Sequence, residues 1–343
     1  VNSVRTYGFV NARVRAKRAR LLSASAYKAL AAAIDLPETI NLLSRFKNKA
    51  LIEPGRDHSI EALERRLLQE EVRQVLEIKN SSRGPAREII AILLSRLDAE
   101  NIKTILRAWQ KHDKAAPGLI ECPGLAVLPV DKMLAAPTLI KFAEYFPDLP
   151  FYGPFLKAAE GYDQRKSLFE IEVAVDKSIY DNIWNLTALL NKTDQNIVRR
   201  MVGIEIDMKN LDWVARIRKY YQSQISATEN SLIPNGYRLH HSTLQKMIAS
   251  GSIEDGLDQF LPGMAPVAST DGNQIVALER LEQFLNQALF YEANRLFLEY
   301  PLSIGSTIGY YYLVRIESRN IRTLINSKYY KMAPPAVLAN LVY

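Results

Sequence analysis

Residues 98–105 read Asp-Ala-Glu-Asn-Ile-Lys-Thr-Ile, residues 207–214 read Asp-Met-Lys-Asn-Leu-Asp-Trp-Val, and residues 317–324 read Glu-Ser-Arg-Asn-Ile-Arg-Thr-Leu. Each is an acid followed three residues later by Asn, then Ile or Leu, then another aliphatic three positions on. The three asparagines, Asn101, Asn210 and Asn320, stand 109 and 110 positions apart. Each has an aliphatic residue four positions before it (Leu97, Ile206, Ile316) and runs into an aromatic soon afterwards (Trp109, Tyr220, Tyr329). Evenly spaced self-similarity of this kind is the mark of a repeat architecture. It predicts three helical units, over residues 1–115, 116–225 and 226–343.

At helical spacing the residues four before and four after each Asn share its face, and all six are aliphatic. The amide therefore sits inside an apolar stripe. Its two donors and two acceptors are costly to bury without partners, and the acid on the same face (Asp98, Asp207, Glu317) is one candidate partner. A ligand site built three times from acid and amide is one reading. A polar contact that fixes how each helix docks onto its neighbour is the other, and it fits the threefold recurrence better.

Around these copies the pattern is helical almost everywhere. Ser59 to Lys79 places apolar residues on one stripe among paired charges, with Ser59 positioned to cap the start. Further helices are expected near residues 86–109, 164–190, 195–220, 274–297 and 304–327. Loops are expected at Pro117 to Pro129, Pro150 to Pro154, Pro234 to Gly236 and Leu261 to Asn273. The alternating run Phe169 to Val175 is compatible with either strand or helix. The fold class expected is all-α.

The net charge of +7 is unevenly distributed. Residues 1–34 carry seven basic side chains and no acid, leaving 37 basic and 37 acidic side chains for the rest of the 343-residue chain. A nucleic-acid or acidic-protein scaffold would have to work through that one segment, in which Arg13, Arg15, Lys17, Arg18 and Arg20 are the candidate partner-binding residues. An organelle transit peptide shares this composition. Internal ion pairs are the plainer use of the same side chains. The longest uncharged run, 300–314, is too short to span a bilayer.

The templates of catalysis find no match. No phosphate loop occurs, Thr307 stands where a nucleophile-elbow Ser should be, and the single Cys122 has no activating neighbour in sequence. The adjacent His240 and His241 read as surface or capping residues, and Glu70-Glu71 and Glu170 with Glu172 as solvated faces. Gly305 and Gly309 read as a close helix contact. No catalytic residue, cofactor site or metal site is assigned.

Several stretches, taken in order, resemble the C subunit of the archaeal and bacterial A/V-type rotary ATPases, which is related to the eukaryotic V-ATPase d subunit. They are Tyr7-Gly8-Phe9-Val10-Asn11-Ala12-Arg13, Val202 to Asp207 with Asn210-Leu211, Pro234-Asn235-Gly236-Tyr237-Arg238-Leu239, and Pro301 through Tyr310 to Asn320-Ile321-Arg322. The resemblance implies a three-unit, all-helical funnel with pseudo-threefold symmetry and a central cavity. It implies a non-catalytic rotor subunit that links the central-stalk subunits D and F to the ring of proteolipid subunits (K/c). Such a rotor part transmits torque for proton or sodium-ion transport. It would be peripheral on the cytoplasmic face of the membrane, with no nucleic-acid partner and no span of its own. Pro334-Pro335 departs from the pattern, where a more polar helix start is expected.

Overall fold

The computed structural model describes residues 3–46, 59–116, 118–162, 168–220, 232–250, 274–299 and 301–343. The chain is all-helical, with fourteen helices and no β-strand among the described residues. Pro117 and the loop expected over 261–273 lie outside them, as does His58.

The helices are α1 (Ser3–Arg18), α2 (Ala24–Ala32), α3 (Leu36–Phe46), α4 (Ile60–Ser81), α5 (Pro85–Gln110), α6 (Val130–Leu134) and α7 (Leu139–Ala143). There follow α8 (Tyr152–Ala159), α9 (Phe169–Thr187), α10 (Lys192–Tyr220), α11 (His241–Ser250), α12 (Gln274–Glu299), α13 (Gly305–Tyr329) and α14 (Pro334–Ala339). Ser59 caps α4 through its hydroxyl, which accepts the Ala62 N–H. The ambiguous run at Phe169 is helix, because Ile171, Val175 and Ile179 continue an i, i+4 stripe that is buried. The loop expected at Pro150 to Pro154 turns helical at Tyr152, where α8 begins, while α6 and α7 lie between the two expected Pro-rich loops; the Phe155 ring stacks on Phe142 and meets Phe146 edge-on. Pro334-Pro335 opens α14, a position where a missing N–H is harmless.

The helices sort into two compact units, one of residues 1–83 with 282–343 and one of 84–281. The first is built around α13. Eighteen of its 25 residues are buried, because its apolar positions surround the whole helix instead of one stripe. It packs against α4, α1, α3 and α14, and α2 packs on α14. Tyr27, Leu30, Leu43, Leu63 and Leu67 from the early helices form one core with Ile321, Leu324, Ile325, Val337 and Leu341 from the late ones. The rings of Tyr27 and Tyr343 lie 5.4 Å apart. In the second unit α9 packs on α5, α8 and α10.

The second unit also buries charge. Lys103, 3% exposed, reaches Asp176 at 2.8 Å and Glu100 at 2.7 Å, and Lys209 lies 3.2 Å from Asp176. Burial drives the Asp176 carboxyl upward, but the two ammonium groups more than reverse this and hold it below its usual value. Glu172 is not a solvated acid, since both its oxygens accept from Arg107 at 2.6 and 2.7 Å. These contacts join α5, α9 and α10.

The close helix contact expected at the glycine pair is made at Gly309. A Cβ there would stand 2.7 Å from the Ala293 carbonyl oxygen of α12 and 3.1 Å from the Phe297 ring. Gly153 in α8 has nothing within 4 Å of the same point. Substituting Gly309→Val is therefore expected to cost about 1–3 kcal/mol by forcing α12 and α13 apart. Gly153→Ala should leave stability unchanged or raise it by up to about 1 kcal/mol. Urea denaturation of the two variants checks both.

Candidate functional site

The three asparagines are equivalent in structure as well as in sequence. Asn101 donates from Nδ2 to the Ile120 carbonyl at 2.9 Å, and its Oδ1 accepts the Ile120 N–H at 2.7 Å. Asn210 does the same with Ile233, at 2.9 and 2.8 Å. Asn320 does it with Val342, at 2.7 and 3.1 Å. In each case a side-chain amide pairs edge to edge with one residue of the following main chain, between 19 and 23 positions downstream. All three amides are buried.

The acid of each motif is not the partner that its Asn uses in these pairings. It holds another stretch of main chain instead. Asp98 Oδ1 accepts the Ala126 N–H at 2.8 Å. Asp207 accepts Arg238 N–H at 2.8 Å and Leu239 N–H at 3.2 Å. Glu317 Oε1 accepts the Leu22 N–H at 2.6 Å. Asn and acid thus form a two-point clamp, and a helix begins just after the segment that the acid holds: α6, α11 and α2 respectively. In the second copy the fit is tight. A Cβ on Gly236 would stand 2.2 Å from Asp207 Oδ1, and Asn235 beside it takes a φ of 70°. His240 and His241 follow this turn at the surface, where the His240 carbonyl accepts the first N–H groups of α11.

The basic side chains of α1 are largely engaged within their own unit. Arg13 and Lys17 pair with Glu77 of α4, at 3.1 and 2.6 Å. Arg15 donates to the Phe297 carbonyl at 2.6 Å. Arg18 donates to Asn294 Oδ1 at 2.8 Å and lies 4.6 Å from the Phe297 ring centroid, a cation–π distance. Arg20 is exposed beside an open groove of about 460 Å³, lined also by Lys17, Leu21, Phe46, Glu70 and Arg73. The five residues do not converge on one point. Among the described residues no cluster of three or more His, Cys, Asp or Glu is placed to hold a metal ion.

Compared with known proteins, residues 10–338 match the family described as ATP synthase (C/AC39) subunit. The chain belongs to this family. Three curated relatives are each named as the C subunit of an A-type ATP synthase. That of Methanocaldococcus jannaschii is 22% identical, over 98% of this chain and 86% of its own length. That of Haloferax volcanii is 23% identical over 97% of both, and that of Thermococcus kodakarensis 23% over 93% and 86%.

Within this C/AC39 chain the clamp residues differ electrostatically. Burial raises the Asp98 carboxyl above its usual value, against the pull of the Ala126 N–H. Asp207 is buried more deeply, at 0% exposure, and burial pushes its carboxyl from 3.8 up to about 7, although three main-chain N–H groups and Arg238 oppose the shift. Below about pH 7 the folded state thus favours its neutral form. The stability it contributes is complete below its unfolded value of 3.8 and is lost as pH rises through about 7.

The clamp can be tested at its amide and at its acid. Asn210→Ala strands a buried N–H and a buried carbonyl at Ile233 and should cost about 2–4 kcal/mol in urea denaturation, whereas the exposed Asn235→Ala should cost less. Stability of the wild-type chain should fall as pH rises from 3.8 to about 7 and level off above it, and Asp207→Asn should flatten that slope. An identical slope in both proteins would remove Asp207 from the account.

Proposed function

We propose that this protein is a non-catalytic rotor subunit of an A/V-type ATP synthase. It would link central-stalk subunits D and F to the proteolipid ring and carry torque between them on the cytoplasmic face of the membrane. The observation that carries the reading is the family match over residues 10–338. The curated relatives, named as C subunits of A-type ATP synthases, extend that match over nearly the whole chain. No helix among the described residues is long and apolar enough to cross a membrane, which suits a peripheral place in the complex.

The clamps support a mechanical role for the motif. All six of its acids and amides, Asp98, Asn101, Asp207, Asn210, Glu317 and Asn320, are occupied by main-chain groups of non-helical segments, so each motif helix is tied to the connections that pass it. A chain that transmits rotation needs stiffness between its partner surfaces, and buried, fully hydrogen-bonded polar contacts supply it. The recurrence of the clamp, with its asparagines 109 and 110 positions apart, supports three repeat units; the bounds 1–115, 116–225 and 226–343 are proposed from the sequence, and the first two clamps bridge them.

Of the five basic residues assigned to partner binding, Arg15 and Arg18 hold α1 in place, and Lys17 is drawn to Glu77. Arg13 and Arg20 are the more outward pair, and they are where acidic groups of the stalk or ring would meet this helix. The Arg13–Glu77 pair is solvent-exposed and worth at most about 1 kcal/mol, so a charge reversal there should leave the fold intact. The full-length chain mixed with stalk subunits and detergent-solubilised ring should form one complex. Arg13→Glu with Arg20→Glu should weaken it several-fold at low salt and less at high salt. Failure of the wild-type chain to join either subassembly would overturn the reading. An unchanged affinity in the variant would overturn only the placement of the contact.

A further inference from the structure

The third clamp is assembled differently from the first two. In those, the acid reaches a main-chain N–H 28 to 32 positions downstream. In the third, Glu317 reaches Leu22, 295 positions upstream. The segment from α1 to Leu22 therefore fills, from the other side of the sequence, the place that the next stretch of chain fills in the other copies. Onward along the chain, that segment joins the rest of its unit through α2.

Its hold on the unit is also of a distinct kind. The buried stripe of α1 is short, consisting of Tyr7, Val10, Asn11 and Val14. The remaining contact is polar, part of it to the side chains of Glu77 and Asn294 and part of it to main-chain oxygens. Asn11 Nδ2 donates to the carbonyls of Pro301 at 2.8 Å and Ser303 at 3.1 Å, and Arg15 donates to that of Phe297. The opposite side, with Arg5, Phe9, Ala12 and Ala16, is exposed, and Phe9 is 70% accessible. A surface helix with few buried apolar side chains belongs to the low-stability end of a structure, where opening precedes global unfolding. The neighbouring α13, by contrast, is buried on nearly every side.

We propose that residues 3–22 form a strap that completes the third clamp from the N-terminal side and opens as one unit while the rest of the protein stays folded. The third clamp is then the one of the three that can be undone and remade without unfolding the chain between its halves. When the strap leaves, Glu317 loses its Leu22 partner, whereas the Asn320–Val342 pair stays closed, because neither of its members lies on the strap.

Hydrogen exchange of the full-length chain, followed by mass spectrometry at sub-denaturing urea concentrations, tests this. Peptides covering residues 7–18 should share one opening that occurs well before that of α13 and of the segments holding Ile120 and Ile233. Asn11→Ala with Arg15→Ala should speed exchange across all of 7–18 by about tenfold or more, with the Ile120 and Ile233 segments unchanged. Glu317→Gln, which keeps an acceptor oxygen, should produce a smaller increase confined to the strap and the residues around Leu22. The inference is overturned if residues 7–18 exchange only together with α13, or if the double substitution accelerates the Ile120 and Ile233 segments equally.

Discussion

A carboxamide on an apolar helix stripe cannot be buried alone, and in this protein that constraint organises the chain three times. Each Asn needs one donor and one acceptor at matched spacing, and a single residue of an extended segment offers both. Burying the helix face therefore requires that a particular residue downstream be brought alongside it. The acid one turn earlier takes other free main-chain N–H groups and sets where the helix after them can begin. Apolar packing supplies most of the driving force, but it is non-directional. The clamps choose one docking geometry out of the many that hydrophobic contact alone would permit.

The same constraint carries different costs in different places. Closing a chain loop grows more expensive only slowly with its length, by about 0.6 kcal/mol for each doubling. Going from the spans of the first two acids to the 295 positions between Leu22 and Glu317 adds a little over three doublings, or about 2 kcal/mol. The unit holding that contact offsets the cost with a core shared by early and late helices, in which Tyr27, Leu30 and Leu63 meet Ile321, Leu324 and Leu341. Residues 84–281, by contrast, form a unit from continuous sequence.

Much of this was legible in advance. The long helices announce themselves through period and caps, and α4, α5 and α13 begin and end within two residues of where Ser59, the run before Trp109 and the Gly305 region place them. The Asn–acid motif was legible as a repeat and as a docking device. Its partners were not, because a main-chain N–H or carbonyl has no residue type to mark it, and the acid three positions away was the only visible candidate. Only the second copy left a trace, in the Pro-Asn-Gly turn that Asp207 grips. The burial of Lys103 is unmarked in the sequence for a related reason. Lys103 stands two residues beyond the first Asn, and the carboxylate that makes its burial tolerable, Asp176, is 73 positions away. The charge surplus of the first 34 residues was plain, but not its use. Composition cannot show that Arg13 and Lys17 would meet Glu77, or Arg15 a carbonyl on α12.

The connection to function runs through stiffness. Under the proposed rotor role, the motif acids and amides tied to the main chain would serve as the fixed points of a chain that has to stay stiff. Residue-resolved hydrogen exchange of the unsubstituted, full-length protein tests their existence most directly, at the three amides of Ile120, Ile233 and Val342. The clamps require these amides to exchange orders of magnitude more slowly than those of neighbouring exposed residues such as Glu121 and Asn235, at rates close to the amides of α5, α10 and α13. Exchange of all three at the rate of the surrounding exposed backbone would contradict the account.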